Sequence, residues 1–199
     1  VTGVQTCALP ISLVARWRVV ADARDTPGHE PQRPQVLGLH PLEVGAVGDW
    51  LGAPLSVGQA CGRGALTVQA LPFLAQDDYD RLLSACTLNT VRGEDSFVRA
   101  QWARRPLLWQ PYRQADDAHL DKLDAWLARA LAGLAPELSD VARAAQTAWD
   151  READFAACWP AYRAALPALT RHASAWAGRL AAGPELAAAL VAFAQSKIE

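Results

Sequence analysis

The chain has 199 residues, 51% of them hydrophobic and 20% charged, with a formal net charge of −2 at pH 7. This composition excludes a disordered or fibrous chain, is enough for one good core, and supplies no basic run for nucleic acid or an anionic membrane surface. No apolar stretch approaches the ~20 residues that a membrane span needs.

Cys7, Cys61, Cys86 and Cys158 are widely scattered with no Cys-x-x-Cys pair, and His29, His40, His119 and His172 are equally dispersed. Neither a zinc site nor a disulfide framework is suggested, so we expect no metal and a cytoplasmic location. No methionine occurs anywhere, including position 1, and a fragment of a longer protein is therefore expected. Residues 1–12 resemble translated read-through of a sequencing adapter and are set aside from fold reasoning, as tags and fusion scars are. A secretory signal is the rival reading of this end, but there is no positive n-region and Pro10 interrupts the apolar run.

From Leu13, the residues Leu13, Val14, Trp17, Val20 and Ala21 recur at helical spacing, and Thr26 to Pro34 is a loop. Val36 to His40 reads as a strand closed by Pro41, followed by a weaker helical segment around Glu43 to Leu51 and a loop-rich stretch from Gly52 to Gly64. Ala65 to Leu71 is a second strand, stopped by Pro72. Behind it a helix from Gln76 to Cys86 places Tyr79, Leu82, Leu83 and Cys86 on one apolar face.

Leu88 to Val91 is the third strand, Arg92-Gly93 a turn, and Glu94 to about Arg104 a helix with Phe97, Val98, Gln101 and Trp102 at helical spacing. Leu107 to Trp109, after Pro106, is the fourth strand. Strands alternating with helices predict a parallel, doubly wound sheet. Beyond Asp116 only helices are predicted: a stripe of Leu120, Leu123, Leu127, Leu131 and Leu134, then Val141 to Glu152, Asp154 to Ala182 interrupted at Pro160 and Pro167, and Pro184 to Ile198. Trp126, Trp149, Trp159 and Trp176 in these helices read as packing residues.

In such a sheet Pro41, Phe73, Arg92 and Gln110 follow four successive strands and share the carboxyl edge, where open α/β folds bind ligands. At the third crossing, the exposed N–H groups of the helix that starts at Glu94 suit a phosphate, and Arg92 adds a fixed cation. The residues leave a purely structural reading open beside it: Glu94 and Asp95 offset the helix dipole, and Arg92 pairs with Asp95.

The run Leu88-Asn89 and Val91 to Trp102 carries the string Arg92-Gly93-Glu94-Asp95-Ser96. It is preceded by Leu71-Pro72-Phe73 and Gln76-Asp77-Asp78-Tyr79-Asp80, and followed by Trp109, Tyr112, Gln114 and His119-Leu120-Asp121-Lys122-Leu123. Together these resemble the elongation factor P arginine rhamnosyltransferases (EarP), bacterial glycosyltransferases of the GT-B type, and the likeness extends more loosely from about Leu13 to the C-terminus.

The resemblance implies an α/β fold, the Rossmann-like C-terminal half of a GT-B enzyme: a nucleotide-sugar domain over residues 13–115, with C-terminal helices over 116–199 packing on it. It implies an enzyme that transfers rhamnose from dTDP-β-L-rhamnose to an arginine of elongation factor P, with no cofactor. On matching positions it implies that Phe73 stacks on thymine, that Gln76 hydrogen-bonds the edge of the base, and that Tyr79 forms a further wall. Arg92, Gly93, Asp95 and Ser96 would surround the diphosphate, and Glu94 would meet the ribose or the sugar. Glu94 and Asp95 would support the chemistry from the donor side only. A carboxylate cannot accept from phosphate, so Asp95 is expected to orient Arg92 or cap its helix.

Two departures stand out: Thr90 replaces a larger apolar or aromatic residue, and Pro111-Tyr112-Arg113-Gln114 replaces Ile-Tyr-Pro-Gln. The family's N-terminal domain, with its aspartate general base, is not expected within this chain. A non-catalytic nucleotide-binding module is the alternative, and a purely helical interaction protein requires that residues 36–110 form no sheet.

Overall fold

The structure, a computed structural model, describes residues 12–17 and 35–38 as strand backbone, and residues 47–64, 66–114 and 116–197. Pro41, Cys7, His29 and His40 lie outside the described residues. Six strands form one sheet: β1 (Ser12–Trp17), β2 (Gln35–Gly38), β3 (Ala60–Arg63), β4 (Leu66–Ala70), β5 (Asn89–Arg92) and β6 (Leu107–Gln110), in the order β3-β4-β1-β2-β5-β6.

The fold class is the α/β one predicted, with a parallel ladder and a helical tail, but among the described strands the parallel ladders join only β2 to β5 and β5 to β6. Two expectations are corrected. Residues 12–17 form a strand and not the start of a helix, because a short apolar run fits either period and this one pairs along both edges, antiparallel to β2 and β4. Within the stretch read as loop, Ala60–Arg63 forms an antiparallel hairpin partner for β4. Since β1 opposes both β2 and β4, those two strands point the same way as β5 and β6. The carboxyl ends of β4, β5 and β6 therefore share one edge, as expected, even though an antiparallel strand separates β4 from the others.

Six helices follow the early hairpins: α1 (Gln76–Ala85), α2 (Glu94–Trp102), α3 (Ala118–Ala130), α4 (Pro136–Asp150), α5 (Phe155–Ala181) and α6 (Leu186–Gln195). Residues 47–51 form a helix within the weak segment expected from Glu43 to Leu51, of which residues 43–46 lie outside the described residues. A sheet over residues 60–110 removes the purely helical reading.

Helices cover both faces at the β5–β6 end because adjacent strand residues point to opposite sides. Val91 and Trp109 pack with Leu83, Ala100, Leu123 and Leu127, whereas Leu88 and Leu108 pack with Ala145, Tyr162, Leu166 and Leu169. On α2 the buried stripe is narrower than predicted: Phe97 and Ala100 face inward, but Val98 and Trp102 are 49% and 52% exposed. Phe97 stacks on Trp109 at 3.9 Å between centroids, and Trp126 meets both edge-on at 5.3 and 6.2 Å. Such pairs add about 0.5–1.5 kcal/mol each beyond burial and brace α2 against β6 and α3.

The tail departs from expectation at α5, which runs unbroken through Pro160 and Pro167. Each proline frees the carbonyl four residues earlier, here Ala156 and Arg163. Both of those residues and both prolines are exposed, so water can take the freed bonds.

Candidate functional site

Val91 is buried in the core, and the chain leaves β5 at Arg92 and turns at Gly93, whose φ of 64° and ψ of 161° belong to a region that only glycine occupies readily. A β-carbon at Gly93 would meet the Tyr112 ring at 3.2 Å, so the aromatic ring of the loop after β6 lies directly on this turn. The helix α2 then begins with no side-chain cap. Its first intrahelical bond runs from the Phe97 N–H to the Gly93 carbonyl at 3.2 Å, and by helix geometry the N–H groups of residues 94–96 have no acceptor of their own within the helix. These donors open on the carboxyl edge of the sheet beside Arg92, the arrangement that receives anions in α/β folds.

The side chains around the turn divide into two sets. Glu94 is exposed at the edge, and Phe73, 73% exposed in the segment after β4, and Gln76, the exposed first residue of α1, stand along the same edge. Ser96 and Tyr79 turn inward instead. Ser96 is buried and shares a hydrogen bond with the Tyr79 hydroxyl, and Tyr79 packs against the core cluster of Leu83 and Val91. Burial pushes the Tyr79 phenol above its ordinary range, with the Ser96 hydrogen bond acting in the opposite sense. The serine hydroxyl is thereby engaged between α1 and α2, so an anion at the turn would meet the Ser96 backbone N–H.

Asp95 also behaves differently from expectation. It makes no side-chain cap, and its carboxylate accepts from Arg99 Nε one turn along at 3.0 Å. The same guanidinium donates through Nη1 to both carboxylate oxygens of Asp80, at 2.9 and 3.1 Å. Arg99 thus joins α1 to α2 behind the turn. The spacing of Asp95 and Arg99 was readable as a helical i,i+4 pair, but Asp80 lies 19 residues away and on another helix.

A second polar group closes the edge at β6. Buried Gln110 donates to Glu152 Oε1 at 2.9 Å, and Arg113 pairs with the same oxygen at 3.5 Å. The buried His119 accepts the Gln114 N–H at Nδ1, 3.4 Å away, holding the 111–114 segment that carries Tyr112. Burial raises the Asp150 carboxyl above its ordinary range, opposed by the Arg113 and Arg151 guanidinium groups nearby. Nothing local in the sequence signals this group, since Glu152 reaches it through a turn after α4 in which Glu152 and Asp154 take φ of 55° and 58°.

At the opposite, amino end of β6 a partly open recess is lined by Pro106, Leu107, Trp126, Tyr162 and Trp176. The Gln101 side-chain oxygen Oε1 accepts from both the Trp126 and Trp176 indoles there, at 3.1 and 3.0 Å.

Residues 24–195 match the family model described as elongation-factor P (EF-P) rhamnosyltransferase EarP. Protein-arginine rhamnosyltransferase from Pseudomonas putida is 44% identical over 201 aligned residues, covering 96% of this chain and 51% of that protein. The Pseudomonas aeruginosa protein of the same name is 52% identical over 74% of this chain and 39% of its own length. The chain therefore spans about half of the length of the first of these relatives and less of the second. A solved chain described under the structural basis for EarP-mediated arginine glycosylation of translation elongation factor EF-P superposes with a TM-score of 0.67 at 46% identity, over 77% of this chain and 48% of its own.

Proposed function

The chain belongs to the EarP family of elongation factor P rhamnosyltransferases, and from that premise we propose that it is the donor-binding half of an inverting GT-B protein-arginine rhamnosyltransferase. The donor is dTDP-β-L-rhamnose and the acceptor an arginine of elongation factor P, in the cytoplasm. One observation carries the reading: an uncapped helix amino end, set by Gly93 and flanked by Arg92, opens at the carboxyl edge of the parallel ladder. The backbone N–H groups of Glu94, Asp95 and Ser96 and the Arg92 guanidinium hold the diphosphate and stabilise the charge that develops on it as the glycosidic bond breaks. Phe73 stacks on thymine, Gln76 hydrogen-bonds the base, and Glu94 reaches toward the ribose or sugar. Tyr79, inward and bound to Ser96, supports the base-side helix without facing the base.

Arginine is fully protonated in water and a poor nucleophile, so transfer also needs a carboxylate base aligned with the acceptor. That base and most of the acceptor surface belong to the portion of the relatives that this chain does not match, and residues 1–199 alone transfer no rhamnose. The exposed Leu186, Leu190, Val191 and Phe193 of α6 support a tail that packs back on that portion. Isothermal calorimetry tests the donor reading: dTDP binds well above GDP and ADP. Equal affinity for the three would falsify the base pocket, and a deoxyhexose added to elongation factor P by this chain alone would show that it carries its own base.

A further inference from the structure

The geometry assigns Arg99 as a positioning residue that sets the distance between the base-binding and diphosphate-binding halves of the donor site, an inference that rests on the donor reading above. The two halves stand on different helices. Phe73 and Gln76 lead into α1, and the anion-binding N–H groups begin α2. A ligand that joins a base to a diphosphate gains from both only if these helices are held at the ligand's own length, because the second contact is then intramolecular.

Arg99 is built for that task. Its planar fork spends Nη1 on both oxygens of Asp80 in α1 and Nε on Asp95 in α2. The guanidinium side chain is 22% exposed while its partners are 48% and 62% exposed. Pairs this open to water add little to stability, so their geometric effect outweighs their energetic one. The three bonds fix an orientation that a lysine, with a single point charge, cannot reproduce.

The test compares the unmodified chain with Arg99→Met, Arg99→Lys and Asp80→Asn, measuring dTDP by calorimetry, thymidine and inorganic pyrophosphate by ligand-observed NMR, and the melting temperature. Positioning predicts that Arg99→Met weakens dTDP about tenfold or more while thymidine and pyrophosphate each stay within about twofold, with Arg99→Lys and Asp80→Asn between these limits. A merely structural residue would instead lower the melting temperature and weaken all three ligands together, which overturns the assignment, as does dTDP affinity unchanged in Arg99→Met. Should Arg99→Met fail to fold, Asp80→Asn decides by the same pattern, because it leaves the Arg99–Asp95 bond in place. Absence of dTDP binding by the unmodified chain overturns the donor reading itself, and the positioning role with it.

Discussion

Gln146 holds the peptide groups of Trp109 from both sides: the Trp109 N–H donates to Gln146 Oε1 at 3.0 Å, and Gln146 Nε2 donates to the Trp109 carbonyl. Trp109 lies on β6, one of the two edge strands of the sheet, where a further strand would ordinarily supply those bonds. A side chain from α4 thus stands in for a missing strand, at a position 1% exposed to solvent. Gln146→Leu would leave a buried N–H and a buried carbonyl without partners, at about 1–3 kcal/mol each. We expect a loss of about 2–5 kcal/mol in urea unfolding, and a loss below about 1 kcal/mol would show that the two bonds contribute little net stability.

Gly93 should be intolerant of any side chain. Gly93→Ala carries a backbone cost of about 1–3 kcal/mol from its conformation, and its new methyl meets the Tyr112 ring at 3.2 Å. Combining it with Tyr112→Ala removes the steric part alone. Denaturation of the single and double variants therefore separates the two, and equal destabilisation in both would assign the whole effect to the backbone.

Arg92→Ala should weaken dTDP by about 2–3 kcal/mol, or about 30- to 150-fold, while the melting temperature stays near that of the unmodified chain. Unchanged affinity would return Arg92 to a structural role at the end of β5. A collapsed melting transition would show that it holds the turn together.

Asp150 gives a pH dependence with a definite sign. Its pKa in the fold is raised by burial, so its contribution to stability is fully present below the ordinary carboxylate pKa of about 3.9 and is lost as pH rises through the raised value. Asp150→Asn cannot ionise. The melting temperature of this variant, relative to the unmodified chain, should rise between about pH 4 and pH 7. A difference that is flat across this range, or that falls, would mean that the neighbouring Arg113 and Arg151 fully offset the burial.

Much of this protein could be read in one dimension. Alternating strands and helices from Leu66 to Gln110, the turn at Arg92-Gly93 and the helical tail depend on local period, on glycine and proline, and on motif spacing, all of which are properties of neighbouring residues. The turn at Gly93 was legible for the same reason, since a strand, a glycine and a helix amino end are consecutive. What only the tertiary structure decided involves residues far apart in the chain. Strand β1 lies antiparallel between β2 and β4 because pairing along both edges outweighs a pattern that suits a helix equally well. Asp95 turns to Arg99 because Asp80, 19 residues away, already draws that guanidinium to the junction of two helices. Ser96 faces Tyr79, and Glu152 reaches Gln110 across 42 residues, through contacts that no local spacing encodes. Local patterning sets which elements form, whereas long-range packing sets which side chains remain at the edge to meet a ligand.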